Sequence, residues 1–219
     1  MLKIEHVVLP SPEQWEMVIE GMRNPMNSWH LSDSHKTHIE DPETLNCADF
    51  EFFLGEADHD LMMRLAKGGA VHAKYRRMIP VFLTINAPLY WWKEADTYTT
   101  GKVQNSCSTM HKIHAKEFTL DDFSCEHLTP NIKKNALGQT ILALNDAREM
   151  FLETKDKKWW WQMIQLLPSS YNQTRTVMLN YEVLAKMYRE RKNHKLDEWH
   201  VLCDWIQSLP YSDIITMGE

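Results

Sequence analysis

One short stretch constrains the fold more than any other. Ile79, Val81, Leu83 and Ile85 alternate with Pro80, Phe82, Thr84 and Asn86, a period of two that belongs to a strand. Pro80 places that strand at an edge or at its own first residue, because proline cannot donate to a ladder. Elsewhere the punctuation is helical. Ser11-Pro12-Glu13-Gln14 gives a capping hydroxyl, a proline at the first helical position and a Gln three residues after the cap, so a helix runs to about Met22. Asp58–Lys67 reads as a short helix stopped by Gly68-Gly69, and Pro88 and Gly101 frame another. Thr129-Pro130 opens a long amphipathic helix with Ile132, Leu137, Ile141, Leu144 and Met150 on one broad face. Two helical segments flank Pro168, Trp159–Leu167 and roughly Ser170–Arg191, and a last one covers Lys195–Ser208. Asn24 to Asp49 reads as a long polar loop. The sum is an α+β chain, mostly helix with a small sheet, and no repeat or linker divides residues 1–219.

Charge narrows the class. A net charge of −6 argues against gripping a nucleic-acid backbone, which needs clustered Lys and Arg, although single basic residues can still hold one phosphate. Cys47, Cys107, Cys125 and Cys203 form no CxxC pair, so free thiols and a reducing, cytoplasmic setting are expected. The richest apolar segment, Met78 to Trp92, is interrupted by Pro80, Asn86 and Pro88 and is no membrane span. The surplus of 9 Trp and 13 Met points to an aromatic-rich core or pocket.

Several groups invite chemistry, each with a plainer reading beside it. His30, Asp33, His35 and His38 could surround a metal, but their spacing matches no closed zinc pattern, and a solvated histidine-rich loop fits better. His111 and His114 could meet on a helical turn, with a surface or structural pair as the alternative. Ser108 lacks the elbow motif and acid partner of a hydrolase. Trp159-Trp160-Trp161 point three ways round a helix, so at least two can pack inward.

Two separated segments resemble the flavin-dependent thymidylate synthases. Ala87-Pro88-Leu89-Tyr90-Trp91-Trp92-Lys93-Glu94 is similar to the family's strand-to-helix passage, and TYTTGKVQNSCSTMH follows where the family carries Arg-His-Arg and then Asn-Glu-x-Ser. Gln104, Asn105 and Ser108 match that second half if one residue is inserted. Leu166-Leu167-Pro168, Asn180, Leu184 and Arg191 match the family's Leu-Pro, Asn-x-Arg-x-Leu and later Arg without a gap. Asn180, Leu184 and Arg191 are spaced to share a helix face.

The resemblance implies a thymidylate-synthase-complementing-protein-like fold in a homo-oligomer that builds its sites at subunit contacts, and one-carbon transfer to a pyrimidine deoxynucleotide with FAD and folate as cofactors. It assigns Glu94, Gln104, Asn105, Ser108, Asn180 and Arg191 to the substrate, and Lys93 and Tyr98 to the flavin side. It names no metal and no protein nucleophile, so Cys107 need not be catalytic. Against it, the Arg-His-Arg falls on Thr97, Tyr98 and Thr99, a flavin-contacting histidine falls near Met78, the Arg of Asn-x-Arg becomes Glu182, and the Arg before Leu-Pro falls near Ile164. Each loss of a charge-assisted contact costs roughly 1.5–3 kcal/mol, which makes flavin binding doubtful. Glu94 stands where the family has Gln, turning a donor into an acceptor suited to a base amino group such as cytosine's. Two other classes stay open: a binding or interaction module on the inherited fold, and a metal enzyme using the histidine loop.

Overall fold

A computed structural model describes residues 1–38 and 50–217. The chain runs β1 (Lys3–Val8), α1 (Pro12–Arg23), β2 (His35–His38), β3 (Phe50–Phe53), α2 (Glu56–Lys67), β4 (Pro80–Pro88), α3 (Leu89–Ala95) and β5 (Val103–Ser106). It continues with α4 (Pro130–Ile132), a π turn (Lys133–Leu137), α5 (Gly138–Thr154), α6 (Lys157–Leu166), β6 (Asn172–Asn180), α7 (Tyr181–Arg191), α8 (Asp197–Gln207) and α9 (Asp213–Thr216). The α+β class, predominantly helical around a small antiparallel sheet, is as the sequence implies.

The main sheet has the order β1-β4-β6-β5, all antiparallel. Pro80 is the first residue of β4, and the strand lies between β1 and β6 rather than at an edge. Its inward residues Val81, Leu83, Ile85 and Ala87 join Val177 and Leu179 of β6 in the main core, against α1, α3, α7 and α8. The other face presents Phe82, Thr84 and Asn86 of β4, paired with Met178, Thr176 and Thr174 of β6. A second, smaller core around Ile113, Phe123, Leu144 and Met163 holds the α5–α6 hairpin.

Several helix and loop expectations are corrected. The segment beginning at Ser170 is a strand as far as Asn180, and only Tyr181–Arg191 is helical. The β-branched Thr174, Thr176 and Val177 favour the pleat, and nine residues of pairing to β4 settle it. The helix after Pro88 ends at Ala95, six residues before Gly101. The polar stretch after it contains β5, and the N-terminal residues form β1. The loop from Asn24 is not featureless: it makes two short 3₁₀ turns and β2, which pairs with β3. The remainder of that loop, Cys47 included, lies outside the described residues. Cys107, Cys125 and Cys203 are free thiols. Trp159 and Trp160 are half-buried and Trp161 is exposed, so none of the three is fully buried. Trp160 Nε1 donates to the Met110 carbonyl at 2.9 Å. His114 stacks edge-on against Phe151 in a non-helical segment, away from the helical pairing with His111. No described helix is long and apolar enough to cross a membrane.

Candidate functional site

The sequence brings α3, α7 and α8 together through their buried faces. Pro88 starts α3 from an extended backbone, and its Trp91, Trp92 and Ala95 turn into the core. Asn180 starts α7 by accepting from the Val183 N–H at 3.0 Å, and Val183, Leu184 and Met187 bury its inner face. In α8, Trp199 and Leu202 are buried in the same core. What remains at the rim is a polar cluster built from all three.

Glu94 Oε2 is its centre. Arg191 Nη1 donates to it at 3.0 Å, Trp199 Nε1 donates at 3.2 Å, and His194 Nε2 lies at 3.2 Å. His194 Nδ1 accepts from the Leu196 N–H at 3.1 Å, which leaves its Nε2 as the protonated, donating nitrogen. Arg191 Nε donates to the Tyr98 hydroxyl at 2.9 Å, and that hydroxyl donates to Glu190 Oε2 at 2.8 Å. The Arg191 guanidinium also lies 4.8 Å from the Trp199 ring centroid, within cation–π reach. Burial, together with the bond to Glu190, pushes the Tyr98 phenol up to about 12, so it stays a neutral hydroxyl. Arg191 is therefore held by two residues from the α3 side and one ring, with a fifth of its side chain still exposed.

A second cluster stands beside the first. Asp96 Oδ1 accepts from Arg175 Nη1 at 2.8 Å and Gln104 Nε2 at 2.8 Å, with Lys102 Nζ at 3.3 Å. Partial burial alone would raise the Asp96 carboxyl, but the Gln104 and Arg175 bonds outweigh it and hold it below its ordinary value. Arg175 lies over the Trp92 ring, its guanidinium carbon 4.1 Å from the centroid.

The sequence-picked residues fall into separate places. Glu94, Tyr98 and Arg191 meet directly. Gln104 belongs to the Asp96 cluster, while Asn105, its neighbour on β5, faces the opposite side of the sheet beside Thr176. Ser108 accepts from the N–H groups of Met110 and His111 and lines a cavity of about 210 Å³ with Asn86, Lys116, Tyr171 and Gln173. Lys93 is exposed. Asn180, with extended backbone, is the cap and not part of the helix face, and Arg191 sits at the other end of α7, on the order of 16 Å away at 1.5 Å per residue. Leu184, between them, is fully buried. Asn180 also packs on Gly101, whose φ is +76° and where a Cβ would stand 2.8 Å from Asn180 Nδ2. Sequence reasoning missed His194 and Trp199; the signal available was the His-Lys-Leu-Asp-Glu-Trp start of α8, close behind Arg191.

Asp33 of the histidine-rich segment has a structural task. It caps α2 from outside the helix, accepting from the N–H groups of Ala57 at 2.8 Å and Asp58 at 3.1 Å. Gly55, at the cap position, leaves room for it, since a Cβ there would lie 2.1 Å from Asp33 Oδ1. Ser32 and Ser34 both donate to Asp58 Oδ2 at 2.7 Å, and Arg23 Nε donates to Asp58 Oδ1 at 2.5 Å. Among the described residues no group of three or more His, Cys, Asp or Glu side chains is placed to hold a metal ion.

No family model and no characterised protein matches the chain by sequence. Solved structures do match by shape. Thymidylate synthase X from Helicobacter pylori, with FAD and dUMP, superposes with a TM-score of 0.66 at 15% identity over 99% of this chain and 100% of that one. A second structure of the Helicobacter pylori flavin-dependent enzyme, complexed with FAD and dUMP, gives 0.62 at 16% over 97% and 95%. The UMP/dUMP methylase PolB from Streptomyces cacaoi, bound to 5-Br dUMP, gives 0.58 at 12% over 98% and 94%. These superpositions establish a shared fold, and at such identities they establish the fold alone. At the positions where the resemblance places the flavin-side Arg-His-Arg, Tyr98 is 4% exposed with its hydroxyl committed to Glu190 and Arg191, and neither Thr97 nor Thr99 carries a charge.

Proposed function

We propose that this protein is a divergent thymidylate-synthase-like protein that binds a pyrimidine deoxynucleotide, with the Glu94–Arg191 cluster as its anchor. One observation carries the reading. Glu94 and Arg191, 97 residues apart and each in a segment singled out for its own likeness to the same family, meet in one hydrogen-bonded ion pair. Arg191, already oriented by Tyr98 and Trp199, meets the phosphate or the base. Three protein groups converge on Glu94 Oε2, so a base amino group would be read at Oε1, which favours cytosine over uracil. Ser108, Asn105 and Asn180 contribute from other faces. Ser108 lines a cavity whose described walls include neither Glu94 nor Arg191, and a homo-oligomer in which one copy's Ser108 cavity faces another's Arg191 would bring the two together. We take the chain as one working unit, and one-carbon transfer to the pyrimidine ring as the reaction class that the fold suggests.

A second reading has its own observation. With Tyr98 tied internally where a flavin-binding cation is expected, the chain can serve as a nucleotide-binding or interaction module without flavin chemistry. Calorimetric titration of dUMP and dCMP into the wild type and Arg191→Ala tests the anchor. Saturable binding that weakens about 10- to 150-fold in the variant is expected from the loss of a charge-assisted bond worth roughly 1.5–3 kcal/mol. Equal affinity in the variant would remove Arg191 from the site. Flavin absorbance retained after incubation with FAD and desalting would favour the enzyme, and a colourless protein the module.

A further inference from the structure

A cavity of about 250 Å³ lies between the end of α2, the 3₁₀ turn Lys74–Met78, α7 and α9. It is lined by none of Glu94, Tyr98, Glu190, Arg191, His194 or Trp199. Four cations line it, Lys67, Arg76, Lys186 and Arg189, and the only carboxylate among its described lining residues is Glu182. They come from three separate elements, so the positive charge is gathered by the tertiary fold and not by a run in the sequence.

Arg76 is the unusual member. Its side chain is 9% exposed, yet its Nε has no hydrogen-bond partner. Glu182 Oε2 lies 3.7 Å from Arg76 Nη1, too far for a hydrogen bond, and that oxygen is itself buried and without a partner. A buried guanidinium and a buried carboxylate oxygen left short of their bonds are destabilising, and such pairs are sustained where something else completes them. The remaining cations are solvent-facing and face no second acid in the wall: Lys186 instead reaches over the Tyr98 ring, 5.6 Å from its centroid.

We infer that this cavity binds the phosphate group of a small phosphate monoester, with Arg76 and Glu182 as the inner pair and Lys67, Lys186 and Arg189 around the mouth. The chemistry of the inner pair selects the ligand. A singly protonated phosphate ester offers a charged oxygen to the guanidinium and a P–OH donor to Glu182 Oε2, whereas a carboxylate ligand has no proton to give. The volume admits a phosphate with a small body, below the range typical of drug-sized ligands. The cavity is distinct from the nucleotide site, since no side chain of the Glu94–Arg191 cluster lines it, and Lys186 over the Tyr98 ring is where the two touch.

The test is isothermal titration of the full chain with glycerol 3-phosphate and, separately, inorganic phosphate, at ionic strength held constant with chloride. The expected result is saturable binding of glycerol 3-phosphate, weakened at least about tenfold in Arg76→Gln and in the exposed Arg189→Glu, and unchanged in Arg191→Ala. Arg189→Glu keeps the inference testable if Arg76→Gln does not fold. No saturable binding by the wild type would overturn it. So would binding that survives in every folded variant of the cavity, binding lost only in Arg191→Ala, or binding of inorganic phosphate alone.

Discussion

Replacing Asp58 by Asn should destabilise this protein more than any single change at the Glu94–Arg191 rim. Asp58 is fully buried, and its carboxylate is the meeting point of Arg23, Ser32, Ser34 and the backbone of the Ser32-Asp33-Ser34 segment. The amide keeps the shape but removes the negative charge. It leaves the Arg23 side chain, only 5% exposed, without its counter-ion, and turns an NH₂ group toward one set of donors. Breaking a buried pair from one side costs about 3–5 kcal/mol. At roughly 2–4 °C per kcal/mol for a chain of this size, the melting temperature should fall by about 6–20 °C. Ser34→Ala, which removes one bond to the same oxygen and one from the Gly55 N–H, should cost only about 1–2 kcal/mol. The pH dependence has a definite sign. Burial works against the Asp58 carboxylate, but bonds from Ser32, Ser34 and Arg23 outweigh it and lower its folded value. A lowered carboxyl contributes stability that is complete above its unfolded value, about 3.9, and is lost as pH falls through the folded value. Urea unfolding of wild type and Asp58→Asn should therefore differ by a constant amount near neutrality and converge only in acid below about pH 4. A loss under about 1 kcal/mol, or a difference that persists unchanged into strong acid, would refute the account.

Other outcomes follow from single contacts. Gly101→Ala should destabilise by about 1–3 kcal/mol in urea unfolding, because φ +76° is unfavourable for alanine and its Cβ would press on Asn180 and Val183; an unchanged midpoint would show that the turn adapts. Phenolate absorbance of the native protein at about pH 10.5 should be the same for wild type and Tyr98→Phe, since the Tyr98 phenol is pushed up to about 12. Burial likewise pushes the Cys203 thiol up to about 11, so peptide mapping after alkylation at about pH 8 should find it unmodified in the folded state while exposed Cys107 reacts; rapid labelling of Cys203 would contradict its burial.

The local signals in this sequence determined what they physically control. The Ser11/Gln14 capping box forms as written, with the hydroxyl and the amide satisfying each other's backbone N–H groups. The alternation of Ile79 to Asn86 gives β4, because period two commits one face to the core. The Gly68-Gly69 stop and the long helix after Pro130 follow for the same reason: each depends on residues within one or two turns. Distance decided the rest. β6 carries the bulky apolar residues Val177, Met178 and Leu179 directly against a true helix start, so its pattern alone did not separate strand from helix; the ladder to β4 did. The task of Asp33 as cap of α2 has no local sign, because the N–H groups it accepts from belong to Ala57 and Asp58, 24 and 25 residues away. At the rim, Arg191 was legible as a likeness and Glu94 as a departure within a similar segment, each on its own. Their ion pair, with His194 and Trp199 beside it, exists only once α3, α7 and α8 bury their apolar faces in one core. Periodicity and capping are short-range and survive in a string of letters, whereas a shared carboxylate oxygen is a property of packed elements.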